Sequence, residues 1–343
     1  MASATNAVDS DNLQIPLIDF APFLHGTPSE RLQTAKAILH GFQTAGFVYL
    51  KNHSVPASQV KQVFDTSALF FTRSLDEKNE LGWTSPEANR GYSAPGREKT
   101  SFLTDKADVE KLKAAAPDLK ESFEIGREGE EGFPNQWPTN AGPEGGAGVF
   151  KDRMMEFHGT CKALHIEVMR AIAVGMGLPE SYFDSFTDGG DNTLRILHYP
   201  SVPKSVFQEN KAQVRAGEHT DYGSITLLFQ DDRGGLQVKS PQCTYVDATP
   251  IEGSVVINAG DLLARWSNDT IKSTMHRVVE PPAKSGDASD VYPARYSVAY
   301  FCNPNFDKHI EAIDGTYGGE KGEKKYSGVN SGQYLVQRLA TTY

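Results

Sequence analysis

A chain of 343 residues can bury a large core, and 23% charged residues with a formal net charge of -10 make an ordinary acidic, soluble composition. This balance excludes a protein built to grip nucleic acid, which needs a basic stripe, and no apolar run reaches the length of a membrane span. Three scattered cysteines, Cys161, Cys243 and Cys302, give neither a disulfide framework nor CxxC spacing, so a reducing, cytoplasmic compartment is expected.

Residues 1–12 are polar, without the basic lead and apolar centre of a secretory signal, and are expected to form a disordered tail ahead of one domain over 13–343. Residues 15–20 read as a short strand. Thr27-Pro28-Ser29-Glu30 marks a helix start, and Leu32, Ala35, Leu39 and Phe42 continue at helical spacing. A second strand over 46–50 leads through Asn52-His53 into a helix over about 56–73, with His53 read as a turn residue. Residues 82–137 are rich in Gly, Pro and charge. Two short strands or loops there, at 89–92 and 123–126, frame a helix near 109–116, and Arg90, Tyr92 and Phe123 are candidates for a substrate mouth. One long amphipathic helix over 149–175 stops at Gly175-Met176-Gly177-Leu178-Pro179. His158 and His165 lie on it without ligand spacing, so a core or surface role is expected.

From Asn192 the pattern turns to β. Strands are expected at 193–199, 213–216, 224–230, 236–239, 254–258, 276–279 and 296–302, separated by Gly- and Asp-rich turns, with a closing helix at 331–340. Many short strands at regular spacing imply a sandwich or barrel. The expected class is α+β: a double-stranded β-helix (jelly roll) core over about 192–303, with a helical amino-terminal half packed against it.

His219 and Asp221 project from one face of an extended segment, and His276 is the candidate third ligand. Two histidines and a carboxylate form the facial triad of non-haem Fe(II) oxygenases. Arg295 and Ser297 again share a face, and a guanidinium fork beside a hydroxyl suits a carboxylate. A zinc hydrolase could use the same metal ligands, but it needs a general base, and Glu218 points away from His219.

The order His-x-Asp, distant His, Arg-x-Ser resembles the isopenicillin N synthase-like Fe(II)/2-oxoglutarate-dependent oxygenases. Longer stretches, Lys36 to Phe47, Asn89 to Lys99, Arg215 to Gln230 and Asn258 to Pro282, are similar to fungal thymine dioxygenases (thymine 7-hydroxylases). The likeness covers nearly the whole chain; the tail and a longer loop at 283–292 depart from it. It implies Fe(II) on His219, Asp221 and His276, with 2-oxoglutarate on Arg295, Ser297 and Tyr199. The asparagine that precedes this tyrosine by two places in plant relatives is Leu197 here. It further implies O2 as oxidant, ascorbate as a supporting reductant, and Phe301, Arg195, Asn192 and Tyr222 around a free pyrimidine. The implied reaction is oxidation of the thymine 5-methyl group to 5-hydroxymethyluracil, 5-formyluracil and 5-carboxyuracil, with succinate and CO2 as co-products. Two alternatives stand beside it, an oxygenase of fungal secondary metabolism acting on another small molecule and a non-catalytic pyrimidine sensor. A sensor has no need of all four of His219, Asp221, His276 and Arg295. Oligomeric state is not encoded legibly.

Overall fold

A computed structural model describes residues 5–85, 88–98, 106–146, 148–210, 213–282 and 289–340. Its centre is a nine-stranded sheet, in spatial order Thr5–Ser10, Leu13–Asp19, Phe47–Lys51, Ser254–Ala259, Ile225–Gln230, Arg295–Cys302, Thr193–Tyr199, Glu121–Ile125 and Gly91–Ser93. A four-stranded sheet, Tyr245–Asp247, Leu236–Lys239, His276–Val278 and Ala216–His219, lies across part of it.

The large sheet is covered on both faces. Leu194, Ile196, Val298 and Tyr300 join Phe157, Leu164 and Val168 of the long helix Val149–Met176 in one core. Leu197, Tyr199, Val256 and Ala299 point the other way and meet Ala216, Leu236, Val238 and Val278 of the small sheet in a second core. Alternation along a strand produces this division, since neighbouring side chains take opposite faces. Two sheets, antiparallel except where Leu13–Asp19 runs parallel to Phe47–Lys51, close over a shared interior to make the jelly-roll core, with helices backing its outer face.

The helices follow local signals. Thr27 caps Pro28–Thr44 through a reciprocal capping box with Glu30. The long helix ends at Gly177, whose φ of 76° is the left-handed conformation that a helix C-cap favours.

Three expectations change. The tail is ordered from Thr5: Thr5–Ser10 pairs antiparallel with Leu13–Asp19, and Asp11 and Asn12 turn the chain at φ 51° and 60°. Two successive left-handed residues of the Asx type are what a tight hairpin requires, and this signal lay in the polar stretch. The strand expected at 213–216 runs instead over Ala216–His219, where pairing with His276–Val278 overrides the weak strand preference of Gly217 and Glu218. A short helix, Asp261–Trp266, follows what read only as a turn. Most of the longer loop expected at 283–292 lies outside the described residues.

Candidate active site

His219 and His276 are direct cross-strand partners in the small sheet, and Asp221 follows at the strand's exit. Their ligand atoms lie within 4.8 Å of one another. His219 Nε2 is 3.7 Å from Asp221 Oδ1, and His276 Nε2 is 3.8 Å from the same oxygen. Each imidazole is oriented from behind. His219 Nδ1 donates to the Gly217 carbonyl at 2.8 Å and His276 Nδ1 to the Thr274 carbonyl at 3.1 Å, so both Nε2 lone pairs face the shared point. Asp221 Oδ2 accepts from Thr226 Oγ1 at 2.6 Å and Asn258 Nδ2 at 2.7 Å, which leaves Oδ1 turned to the histidines.

The charge states suit a divalent cation. Burial, then His276 alongside, pulls the His219 pKa down to about 3, so its ring is neutral at pH 7. Burial alone would raise the Asp221 carboxyl. The two imidazoles and its two hydrogen-bond donors outweigh burial and hold it below the usual range, hence ionised. Two imidazole nitrogens and one carboxylate oxygen converge without a thiol, the donor set that fits Fe(II).

The helix missed in the sequence holds this loop. Asp261 N donates to the Asp221 carbonyl at 2.8 Å, and Leu262 N to the Gly223 carbonyl at 3.1 Å. Gly260 allows the approach, because a Cβ there would stand 2.4 Å from the Gly223 oxygen. Asp261 also accepts from Thr220 Oγ1 at 3.1 Å and Ser273 Oγ at 2.7 Å, tying together the segments on which the ligands sit.

A cavity of about 130 Å³ opens over the triad. Arg295, Ser297, Ala299 and Phe301 line it from one strand, and Thr193, Arg195, Leu197 and Tyr199 from the next. Arg295 is buried and braced. Its Nε donates to the Gly234 carbonyl at 2.9 Å, Nη1 to Ser297 Oγ at 3.2 Å and Nη2 to Gln230 Oε1 at 3.0 Å. The Tyr199 ring lies 4.8 Å from its guanidinium carbon. Three of the five guanidinium donors are so engaged, and the others can meet a carboxylate.

Further along the same two strands, Arg195 sits over the Phe301 ring at 5.1 Å. It is held by Glu124 at 2.8 Å and Glu98 at 3.2 Å. Lys120 Nζ reaches Glu98 at 3.1 Å. Burial would raise the Glu98 carboxyl, but Arg195 and Lys120 outweigh it and bring its pKa to about 2. Tyr222 lines the cavity beside Asp221.

Four expected residues are elsewhere. Asn192 does not line the cavity: its Nδ2 donates to Tyr300 Oη at 3.0 Å and its Oδ1 accepts from Asn303 N at 2.8 Å. The side chain is spent on the framework behind the wall, and it is Asn303 that reaches the cavity. Arg90, Tyr92 and Phe123 do not border it either. Arg90 pairs with Glu130, Tyr92 donates to Glu121, and Phe123 packs on Phe70 and Phe150. From that irregular region Asn89, Glu98 and Lys120 contribute instead. Leu335 and Leu339 of the last helix, Ser331–Leu339, complete the wall. Their helical spacing was visible, but nothing local says what a terminal helix covers. His53, His158 and His165 are buried away from the metal ligands. They meet Val55 N, the Asn192 carbonyl and Ser224 Oγ respectively.

Residues 15–140 match the family described as non-haem dioxygenase in morphine synthesis N-terminal, and residues 190–304 match the 2OG-Fe(II) oxygenase superfamily. A 2-oxoglutarate-Fe(II) type oxidoreductase, ppzD of Metarhizium rileyi, is 34% identical over 96% of this chain and 92% of its own length. A proline hydroxylase, buaE of Petromyces alliaceus, is 32% identical over 96% of this chain and 100% of its own. The full-length thymine 7-hydroxylase of Neurospora crassa, solved in complex with alpha-KG and thymine, superposes with a TM-score of 0.90 at 65% identity, covering 99% of this chain and 100% of that one. The same protein with alpha-KG and 5-formyluracil gives 0.89 at 60%, with the same coverage. With its His-Asp-His triad in a jelly-roll core and relatives matched end to end, this chain belongs to the 2OG-Fe(II) oxygenase superfamily.

Proposed function

We propose that the protein oxidises the 5-methyl group of free thymine to 5-hydroxymethyluracil, and onward to 5-formyluracil and 5-carboxyuracil. Each round consumes O2 and 2-oxoglutarate and releases succinate and CO2. The observation that carries this reading is the far end of the cavity wall that Arg295 begins. There Phe301 offers an aromatic face, Arg195 a fixed donor and Tyr222 a second aromatic edge, all within one enclosure that also holds the triad. A flat neutral ring needs such a face and such a donor. The likeness to the Neurospora crassa thymine 7-hydroxylase, solved with thymine and with 5-formyluracil, supports both the first substrate and a later one.

His219, Asp221 and His276 would hold Fe(II), which when bound supplies the activation of O2 coupled to oxidation of 2-oxoglutarate. Arg295 and Ser297 bind the distal carboxylate of that co-substrate, and Tyr199 packs on the guanidinium to keep it aimed. Phe301 and Arg195 orient the ring so that its methyl group faces the triad. Leu335 and Leu339 exclude water from the cavity, and each oxidised product keeps the same ring contacts, so successive rounds use one pocket. Ascorbate serves as the supporting reductant. The free thiols of Cys161, Cys243 and Cys302 support a cytoplasmic location. No helix among the described residues is long and apolar enough to cross a membrane.

The test loads the protein anaerobically with Fe(II) and 2-oxoglutarate, then admits O2 with thymine, 5-hydroxymethyluracil, 5-formyluracil, thymidine or free proline. Succinate matched by oxidised pyrimidine is expected with the three free bases. Coupled turnover of proline but not thymine would overturn the reading.

A further inference from the structure

Asn303 is 2% exposed and follows directly on the strand Arg295–Cys302. It continues the face of Phe301 and lines the same cavity, beside Tyr222 and Gly223. Its backbone N–H donates to Asn192 Oδ1 at 2.8 Å, and its Nδ2 donates to the Asp191 carbonyl at 2.9 Å. Those two bonds fix both the position and the sense of the amide. Exchanging its oxygen and nitrogen would press one carbonyl oxygen against another. The oxygen must therefore be the atom on the other side, and Oδ1 is buried without a hydrogen-bond partner. Gly223 leaves room for it, because a Cβ there would lie 2.6 Å from Oδ1. Buried acceptors without partners are rare in folded proteins and call for an explanation.

We infer that Asn303 is a specificity-determining residue whose Oδ1 accepts a hydrogen bond from a ring N–H of the pyrimidine. This rests on the thymine reading above. Together with the Arg195 guanidinium over Phe301, the wall offers one donor and one fixed neutral acceptor, the complement of an adjacent C=O and N–H. A ring nitrogen without hydrogen would set two acceptors against each other, so the residue rejects bases and nucleosides lacking that N–H.

The test compares kcat/KM for thymine, 1-methylthymine and 3-methylthymine in the wild-type protein and in Asn303→Ala. In the wild type, methylation of one ring nitrogen is expected to lower kcat/KM at least tenfold. In Asn303→Ala that same penalty should shrink at least fivefold, the penalty at the other nitrogen should stay constant, and the KM for 2-oxoglutarate should not change. Asn303→Ser, whose hydroxyl can still donate to the Asp191 carbonyl, replaces the alanine variant if the latter has a lowered Tm. Wild-type tolerance of both methylated bases, with thymine still oxidised, would overturn the role of Asn303 alone. So would a methyl penalty that is equal in wild type and variant. Failure of the wild type to oxidise thymine would instead overturn the reading beneath it.

Discussion

Arg338 lies on the face of Tyr222, its guanidinium carbon 4.5 Å from the ring centroid, and its Nη2 is 3.1 Å from Asp261 Oδ2. One side chain of the last helix therefore clamps a cavity wall and the carboxylate that ties Thr220 to Ser273. Leu335 and Leu339 of the same helix face the cavity. Arg338→Ala should raise the KM for thymine about two- to fivefold, the value of a partly exposed cation–π contact. Succinate should then exceed oxidised pyrimidine, because a loosely covered ring misaligns its methyl group. Steady-state kinetics with both products quantified checks this; a rise confined to the KM for 2-oxoglutarate would contradict it.

His219→Ala, Asp221→Ala and His276→Ala should each abolish iron-dependent turnover with the fold retained. Circular dichroism and Fe(II) titration separate loss of metal from loss of structure. Asn258→Ala should act more mildly. It removes one of two donors that turn Asp221 Oδ1 towards the histidines, and a lost outer partner typically costs about 10- to 100-fold in metal affinity or activity.

Arg295→Leu should weaken 2-oxoglutarate far more than thymine. An unpaired carboxylate in a buried site costs about 2–5 kcal/mol. Equal weakening of both ligands, measured as KM values, would place the co-substrate elsewhere.

Phe301→Ala should lower thymine affinity about five- to a hundredfold, the loss of one base–aromatic stack, with 2-oxoglutarate binding kept. Arg195→Lys should hurt more than its conserved charge suggests, since an ammonium cannot span Glu98 and Glu124 while still facing the ring. Wild-type coupling in both variants would remove the base from this wall.

Acid should destabilise the metal-free protein. Burial depresses His219 and His165 to about 3 and His158 to about 4, below the usual 6.5. Between those values and pH 6.5 the unfolded chain binds more protons than the folded one, so stability is full above about pH 6.5 and falls as pH drops through this window. Tm measured from pH 7.5 to 4.5 should decline, and a Tm that rises on acidification would contradict the burial of these rings.

Much of the site was legible because its chemistry is periodic. Arg295, Ser297 and Phe301 share a strand parity, and the structure sets all three on the cavity face while Val298 and Tyr300 face the helices. The His219–Asp221 spacing likewise survives a one-residue irregularity in the pairing with His276–Val278. What stayed hidden depends on contacts distant in sequence. Asn192 and Asn303 are 111 positions apart, and only the fold decides which of the two amides faces the ligand. Glu98, Lys120 and Glu124 went unmarked in a charge-rich stretch, since nothing local announces that they gather around Arg195. The hairpin at Thr5–Ser10 was overlooked for a simpler reason: its polarity masked a turn signal at Asp11-Asn12.

That hairpin also shields a margin of the large sheet. Thr5–Ser10 forms one margin of the nine-stranded sheet and is largely polar and exposed there, a poor template for another strand. Removing it would uncover Leu13–Asp19, in which Leu13 and Ile15 are buried. Pro16 would then be the only residue of the new margin unable to donate a backbone N–H. A chain trimmed to residue 13 would retain the whole catalytic cavity and yet present an adhesive apolar edge, so its failure would show as self-association at high concentration before any loss of chemistry.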